Sequence, residues 1–164
     1  MTMEALGFRD ETQDRSAVAT QNSLQLIAFS IGEQTYGVEI TTVREIRAWN
    51  GATPLPNTKE FVRGVINLRG TIVPIFDLRA RFGDGQTSPT KNHVVVVMSV
   101  GDKWVGILVD AVSDILTVAK DDIHAVPEGN SIDTELLSGI VTHESRMVGL
   151  IDLHAVVAGV RADA

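Results

Sequence analysis

The chain has 164 residues, 21 acidic and 14 basic, for a formal net charge of −7. That balance excludes the cation excess with which nucleic acid or an anionic membrane is bound, and no two basic residues are adjacent to supply it locally. With no cysteine, disulfides, thiolate zinc sites and cysteine nucleophiles are excluded as well, which fits a cytosolic protein.

Residues 1–23 mix acidic, basic and small polar side chains with scattered apolar ones and read as a flexible tail, without the basic and then apolar order of a secretory leader. From Leu24 the pattern is strand, turn, strand. The first half predicts strands at 24–31, 35–40, 43–50, 64–69 and 72–77, and the second at 93–100, 103–109, 112–119, 139–143 and 146–151. Short helices are expected at 57–62, 78–83 and 153–159, with Asn57 and Asp77 as N-caps. The longest purely apolar run, Val94 to Met98, is far short of the ~20 residues of a membrane span, so direct membrane insertion is not expected.

The two halves repeat each other. Sliding the chain by 69 positions places Ser30 on Ser99, Gly32 on Gly101, Gly37 on Gly106, Val43 on Val112 and Ile46 on Ile115. A shift of 75 places Gly64-Val65-Ile66 on Gly139-Ile140-Val141 and the Asp77-Leu78 block on Asp152-Leu153. Two matches in the same order indicate an internal duplication. The fold class is therefore mainly β, each half supplying about five short strands to a small closed or nearly closed barrel, with a few short helices. The ordered domain runs over 24–158, with lobes of roughly 24–85 and 91–158 and a C-terminal tail at 159–164. Whether the lobes exchange strands is open at this level.

Catalytic constellations are few. Asp77 and Asp152 stand at equivalent positions and make a pseudo-symmetric aspartate-dyad hydrolase the alternative function, since two adjacent carboxylates can share one proton. Helix N-capping accounts for both without chemistry, because each begins a helical segment. The histidines His93, His124, His143 and His154 form no metal-ligand pair, and no nucleophile elbow or phosphate loop is present, so no catalytic residue, metal or cofactor is called for.

What remains is a surface. Asn67-Leu68-Arg69-Gly70 lies between two apolar strands, so Gly70 supplies the positive φ of a tight hairpin and Arg69 projects at its tip. The second half has His143-Glu144-Ser145 there instead. In an extended 43–48 segment, Val43, Glu45 and Arg47 share one face, from which Glu45 can meet Arg69 as a surface ion pair.

The segments Val43-Arg44-Glu45-Ile46-Arg47, Arg63-Gly64-Val65-Ile66-Asn67-Leu68-Arg69-Gly70, Val73-Pro74-Ile75-Phe76-Asp77-Leu78 and Gly106 through Ile115 resemble the CheW family, the coupling proteins of bacterial chemotaxis. The resemblance runs from about Leu24 to Val157. It implies two SH3-like barrels packed together in a non-enzymatic adaptor. It implies as partners the regulatory domain of a CheA-type histidine kinase and the cytoplasmic tip of methyl-accepting chemoreceptors. The expected location is cytoplasmic, with recruitment to membrane-associated receptor arrays. Carried over by position, it assigns kinase coupling to Glu45, Asn67, Arg69 and Gly70. Receptor binding falls to Val43, Gly64, Gly106, Val112 and Ile115, around an apolar seam able to hold a helix tip.

Overall fold

The computed structural model describes residues 22–127 and 135–158. Among these, eleven strands form two sheets. In chain order they are β1 (Ser23–Ile31), β2 (Gln34–Glu39), β3 (Val43–Ala48), β4 (Val62–Leu68), β5 (Thr71–Asp77), β6 (Val94–Val100), β7 (Lys103–Val109), β8 (Ala111–Ala119), β9 (Ile123–His124), β10 (Leu137–His143) and β11 (Arg146–Ile151). Two short helices, α1 (Leu78–Arg81) and α2 (Leu153–Val157), follow β5 and β11. Of the flexible tail expected at 1–23, all but Asn22 and Ser23 lies outside the described residues, as does the C-terminal tail at 159–164; β1 itself opens at Ser23.

The six-stranded sheet has the order β8-β1-β2-β11-β10-β9 and the five-stranded sheet β3-β6-β7-β5-β4. Each sheet thus mixes the two halves. The first hairpin of either half, β1–β2 or β6–β7, is inserted into the sheet built from the rest of the other half, and the junctions β2–β11 and β5–β7 are parallel. Apart from β9, the sheets match strand for strand. β9 pairs with β10 at the six-stranded edge, and Thr53 makes an isolated bridge to Val65 of β4 at the corresponding place. Irregular registers recur too: between Val43 and Glu45 in β3 and at the matching place on β8, and between Val62 and Gly64 in β4 and Leu137 and Gly139 in β10. This is the two-lobed, mainly β architecture expected from the duplication, with one added two-residue strand.

Strand alternation divides the apolar residues among three cores. Leu26, Ala28, Leu116, Val141, Val148 and Leu150 fill the six-stranded lobe. Leu68, Val73, Ile75, Val95, Val97 and Leu108 fill the five-stranded lobe. The opposite faces of the same strands give Phe29, Ile31, Phe76, Val96, Met98 and Ile107 to a central cluster shared by both lobes. Strands buried on both faces read as continuous apolar runs, as Val94 to Met98 does.

Both short helices begin where expected. Asp77 accepts a hydrogen bond from Ala80 N–H at 3.4 Å and Asp152 from Ala155 N–H at 3.3 Å. The expected helix at 57–62 is absent. Asn57 has φ of 58°, a left-handed conformation opposed to the extended backbone of an N-cap, so it turns the chain and leaves Val62 to start β4.

Candidate functional site

The edge strand β3 alternates as its sequence predicts: Val43, Glu45 and Arg47 are half-buried, whereas Arg44, Ile46 and Ala48 are exposed. Opposite it, β4 and β5 are joined by a two-residue turn in which Arg69 has φ of 51° and Gly70 of 91°. Positive φ at both central positions is the turn whose twist matches that of the flanking strands. The Asn67 side-chain oxygen accepts from Gly70 N–H at 2.8 Å and fixes the tip. Arg69 is thereby aimed back at β3, where its Nη2 donates to Glu45 Oε1 at 2.7 Å.

The other carboxylate oxygen of Glu45 accepts from Arg47 Nη1 at 3.4 Å. One carboxylate is therefore held between two guanidinium groups, and the cluster keeps one positive charge. Arg69 is 68% exposed and Glu45 26%, so the pair contributes little to stability, of the order of 0–1 kcal/mol, and its consequence is the fixed direction of the groups it presents. The alternation of β3 places Arg47 on the same face as Glu45, and that shared face is the sequence signal for its part in the cluster. Beside the cluster, a cleft of about 450 Å³ opens between Arg47 and Ala48 on one side and Val65 to Asn67 on the other.

The structure separates the remaining expected residues into two kinds. Val43 and Val112 pack on the central cluster from the five- and six-stranded sheets respectively, and Ile115 is 56% exposed on β8. Ile46, its repeat partner, is exposed as well, as are the repeat partners Ile72 and Met147. The two lobes therefore repeat the same exposed apolar positions. Gly64 and Gly106 face inward instead. A Cβ on Gly64 would collide with the Thr53 carbonyl oxygen, and one on Gly106 would lie 2.7 Å from Ile75 Cδ1. Substituting either acts on the barrel before it acts on any surface.

The aspartates are structural. Asp77 is fully buried and accepts from Thr87 N–H and Thr87 Oγ1, both at 2.7 Å, with Arg63 at 3.5 Å, in addition to its helix cap. Asp152 caps the helix that follows the other sheet, and no hydrogen bond joins the two carboxylates among the described residues. The dyad hydrolase has no support here. No group of three or more metal-ligating side chains occurs among the described residues, and no described helix is long and apolar enough to cross a membrane.

Comparison with known proteins decides the relationship. The family model of the CheW-like domain matches residues 25–161. The chain belongs to the CheW family. A probable chemotaxis protein CheW of Rhizobium etli is 46% identical over 145 residues, covering 88% of this chain and 94% of that protein. Chemotaxis protein CheW of Klebsiella aerogenes is 41% identical over 130 residues, covering 79% of this chain and 78% of its own length. Among solved structures, the scaffolding protein TtCheW of Thermoanaerobacter tengcongensis superposes with a TM-score of 0.77 at 33% identity, over 84% of this chain and 91% of that one. As a CheW-family protein this chain is a non-catalytic adaptor of chemotaxis signalling, and its two equivalent aspartates cap helices.

Proposed function

We infer that this adaptor works in the cytoplasm at membrane-associated receptor arrays, joining the cytoplasmic tip of methyl-accepting chemoreceptors to the regulatory domain of a CheA-type histidine kinase. The observation that carries the reading is the Arg69–Glu45–Arg47 cluster, a directed charged group on an edge strand of a CheW-family chain. In this reading Glu45, Asn67, Arg69 and Gly70 form the kinase-coupling surface. Asn67 and Gly70 set the hairpin tip, and the two charged residues set register with a homologous barrel. Val43, Val112 and Ile115 contribute to the receptor surface, and Gly64 and Gly106 keep the strands behind it in place.

The test is reconstitution of receptor, kinase and this protein, with kinase activity and co-sedimentation as readouts. Arg69→Ala or Glu45→Ala is expected to weaken kinase binding about 5- to 30-fold, the cost of about 1–2 kcal/mol for one partner of an oriented interfacial charge pair. A Val43→Asp protein is expected to keep the kinase and lose receptor response. Full kinase binding by both charge variants, together with a normal response from the Val43 variant, overturns the assigned surfaces.

A further inference from the structure

Six asparagines occur in the chain, and one of them, Asn50, is followed by glycine. Glycine carries no Cβ to shield its backbone nitrogen and turns freely about φ, so that nitrogen can reach the amide carbon of the preceding side chain. The structure leaves this approach open. Asn50 and Gly51 are both exposed, just beyond the end of β3. Gly51 has φ of 88°, and a Cβ placed on it would meet nothing within 4 Å. Among the described residues, neither the Asn50 side chain nor the Gly51 N–H is hydrogen-bonded. Asn67, by contrast, is held by Gly70 N–H and precedes a leucine.

The position is also electrostatically sensitive. Asn50 lines the 450 Å³ cleft together with Arg47, the guanidinium at 3.4 Å from Glu45. The Arg69–Glu45–Arg47 cluster carries one surplus positive charge, so a carboxylate in place of the Asn50 amide would balance it. The span is short as well. Trp49 N–H donates to the His93 carbonyl at 2.9 Å and Thr53 N–H to the Val65 carbonyl at 2.8 Å, so residues 50–52 bridge two pinned points.

We propose that Asn50-Gly51 is a self-modification site that discharges this face of the adaptor. The Gly51 nitrogen attacks Asn50 Cγ and closes a succinimide ring; the side-chain nitrogen leaves as ammonia, carrying the former Gly51 N–H proton. Water then opens the ring at either carbonyl, giving aspartate or isoaspartate at position 50. Water is the only co-reactant, and no electrons are transferred. Either product adds a negative charge beside Arg47, and isoaspartate also lengthens the backbone between the two pins. The effect on kinase coupling rests on the reading of this face given above; the chemistry at Asn50 does not.

Trypsin releases residues 48–59 as one peptide, which holds Asn50 and Asn57 and so contains its own control. In the folded full-length protein kept in warm, mildly alkaline buffer, Asn50 is expected to gain about one mass unit about tenfold faster than Asn57, as the unshielded glycine nitrogen requires. Its rate is expected to stay within about fivefold of that in urea, because the exposed loop opens without unfolding the sheet. Equal rates at Asn50 and Asn57, or an Asn50 that reacts in urea and is stable in the folded protein, overturn the proposal. For the consequence, Asn50→Asp is expected to bind the kinase about 2- to 5-fold more weakly than Asn50→Gln, a difference that shrinks with added salt. If Arg69→Ala weakens binding and Asn50→Asp matches Asn50→Gln, the discharge is overturned. If Arg69→Ala itself binds fully, the kinase reading of this face fails instead, and the mass readings decide the modification.

Discussion

At the scale of single residues, the two hairpin tips show one backbone solution reached with different side chains. Arg69-Gly70 and Glu144-Ser145 both place two consecutive residues at positive φ, with Glu144 at 50° and Ser145 at 68°. A Cβ in that region is disfavoured by roughly 1–2 kcal/mol, so the second tip is strained where the first has glycine. Ser145→Gly is therefore expected to raise stability by about 1 kcal/mol, read as a higher urea midpoint with an unchanged slope, after part of the gain is offset by the freer unfolded chain. An unchanged or lower midpoint would show that the Ser145 side chain makes a compensating contact. The Asn67-Leu68-Arg69-Gly70 turn was legible in sequence because glycine marks it. Its twin was found only through the duplication, since Glu-Ser carries no turn signal of its own.

Elements meet across the lobes through a few directed contacts. Arg81, on the last turn of α1, donates from Nε to the Val156 carbonyl and from Nη2 to the Ala155 carbonyl, each at 3.0 Å, and its guanidinium lies 4.7 Å from the Phe61 ring centre. It thus satisfies the Val156 carbonyl, adds a second donor to the Ala155 carbonyl, which also accepts from Ala158 N–H, and places a cation at that helix's negative end. α2 is too short to hold itself, so its order depends on this contact and on the central cluster. Arg81→Ala is expected to cost about 2 kcal/mol of global stability, the usual value for hydrogen bonds from a charged donor. Amides of α2 should exchange faster than those of β6 by the same substitution, and uniform acceleration would refute a local role. The sequence foretold where α1 and α2 start because Asp77 and Asp152 are strong caps. It could not foretell Arg81, whose acceptors lie 74 and 75 positions away. The helix expected after Asn57 fails for a related reason: an Asn can cap a helix or take a left-handed turn, and the flanking residues do not distinguish them.

For the whole molecule, the order of strands along the chain gives no sign of the exchange. Alternation and turns identify β1 and β2 as a hairpin and β10 and β11 as another, yet the parallel junction of β2 with β11 joins residues more than a hundred positions apart, from Thr35↔Val148 to Gly37↔Leu150. The small residues there do leave a trace. Gly37 and Gly106, repeat partners, each sit at a parallel junction, where a Cβ would meet Val148 in one lobe and Ile75 and Val95 in the other. A glycine at both sites is thus a signature of the close approach that exchange requires, though its meaning appears only when the partner strand is known. The exchange also decides how the molecule unfolds. Residues 22–85 alone keep β1 and β2 without the β8 and β11 that flank them, and β3 to β5 without the β6–β7 pair that joins them. Leu26 and Ala28 lose Val148 and Leu150, and Val73 and Ile75 lose Val95 and Leu108, so neither interior is left with both of its walls. A unit of that size is already marginal by surface-to-volume scaling. The 22–85 and 91–158 fragments are each expected to be unfolded by far-UV circular dichroism and amide dispersion. Mixed at equal concentration, they should recover one cooperative transition whose midpoint rises with protein concentration, as an obligate two-chain fold requires. A folded, monomeric 22–85 fragment would refute the view that the two halves form a single folding unit.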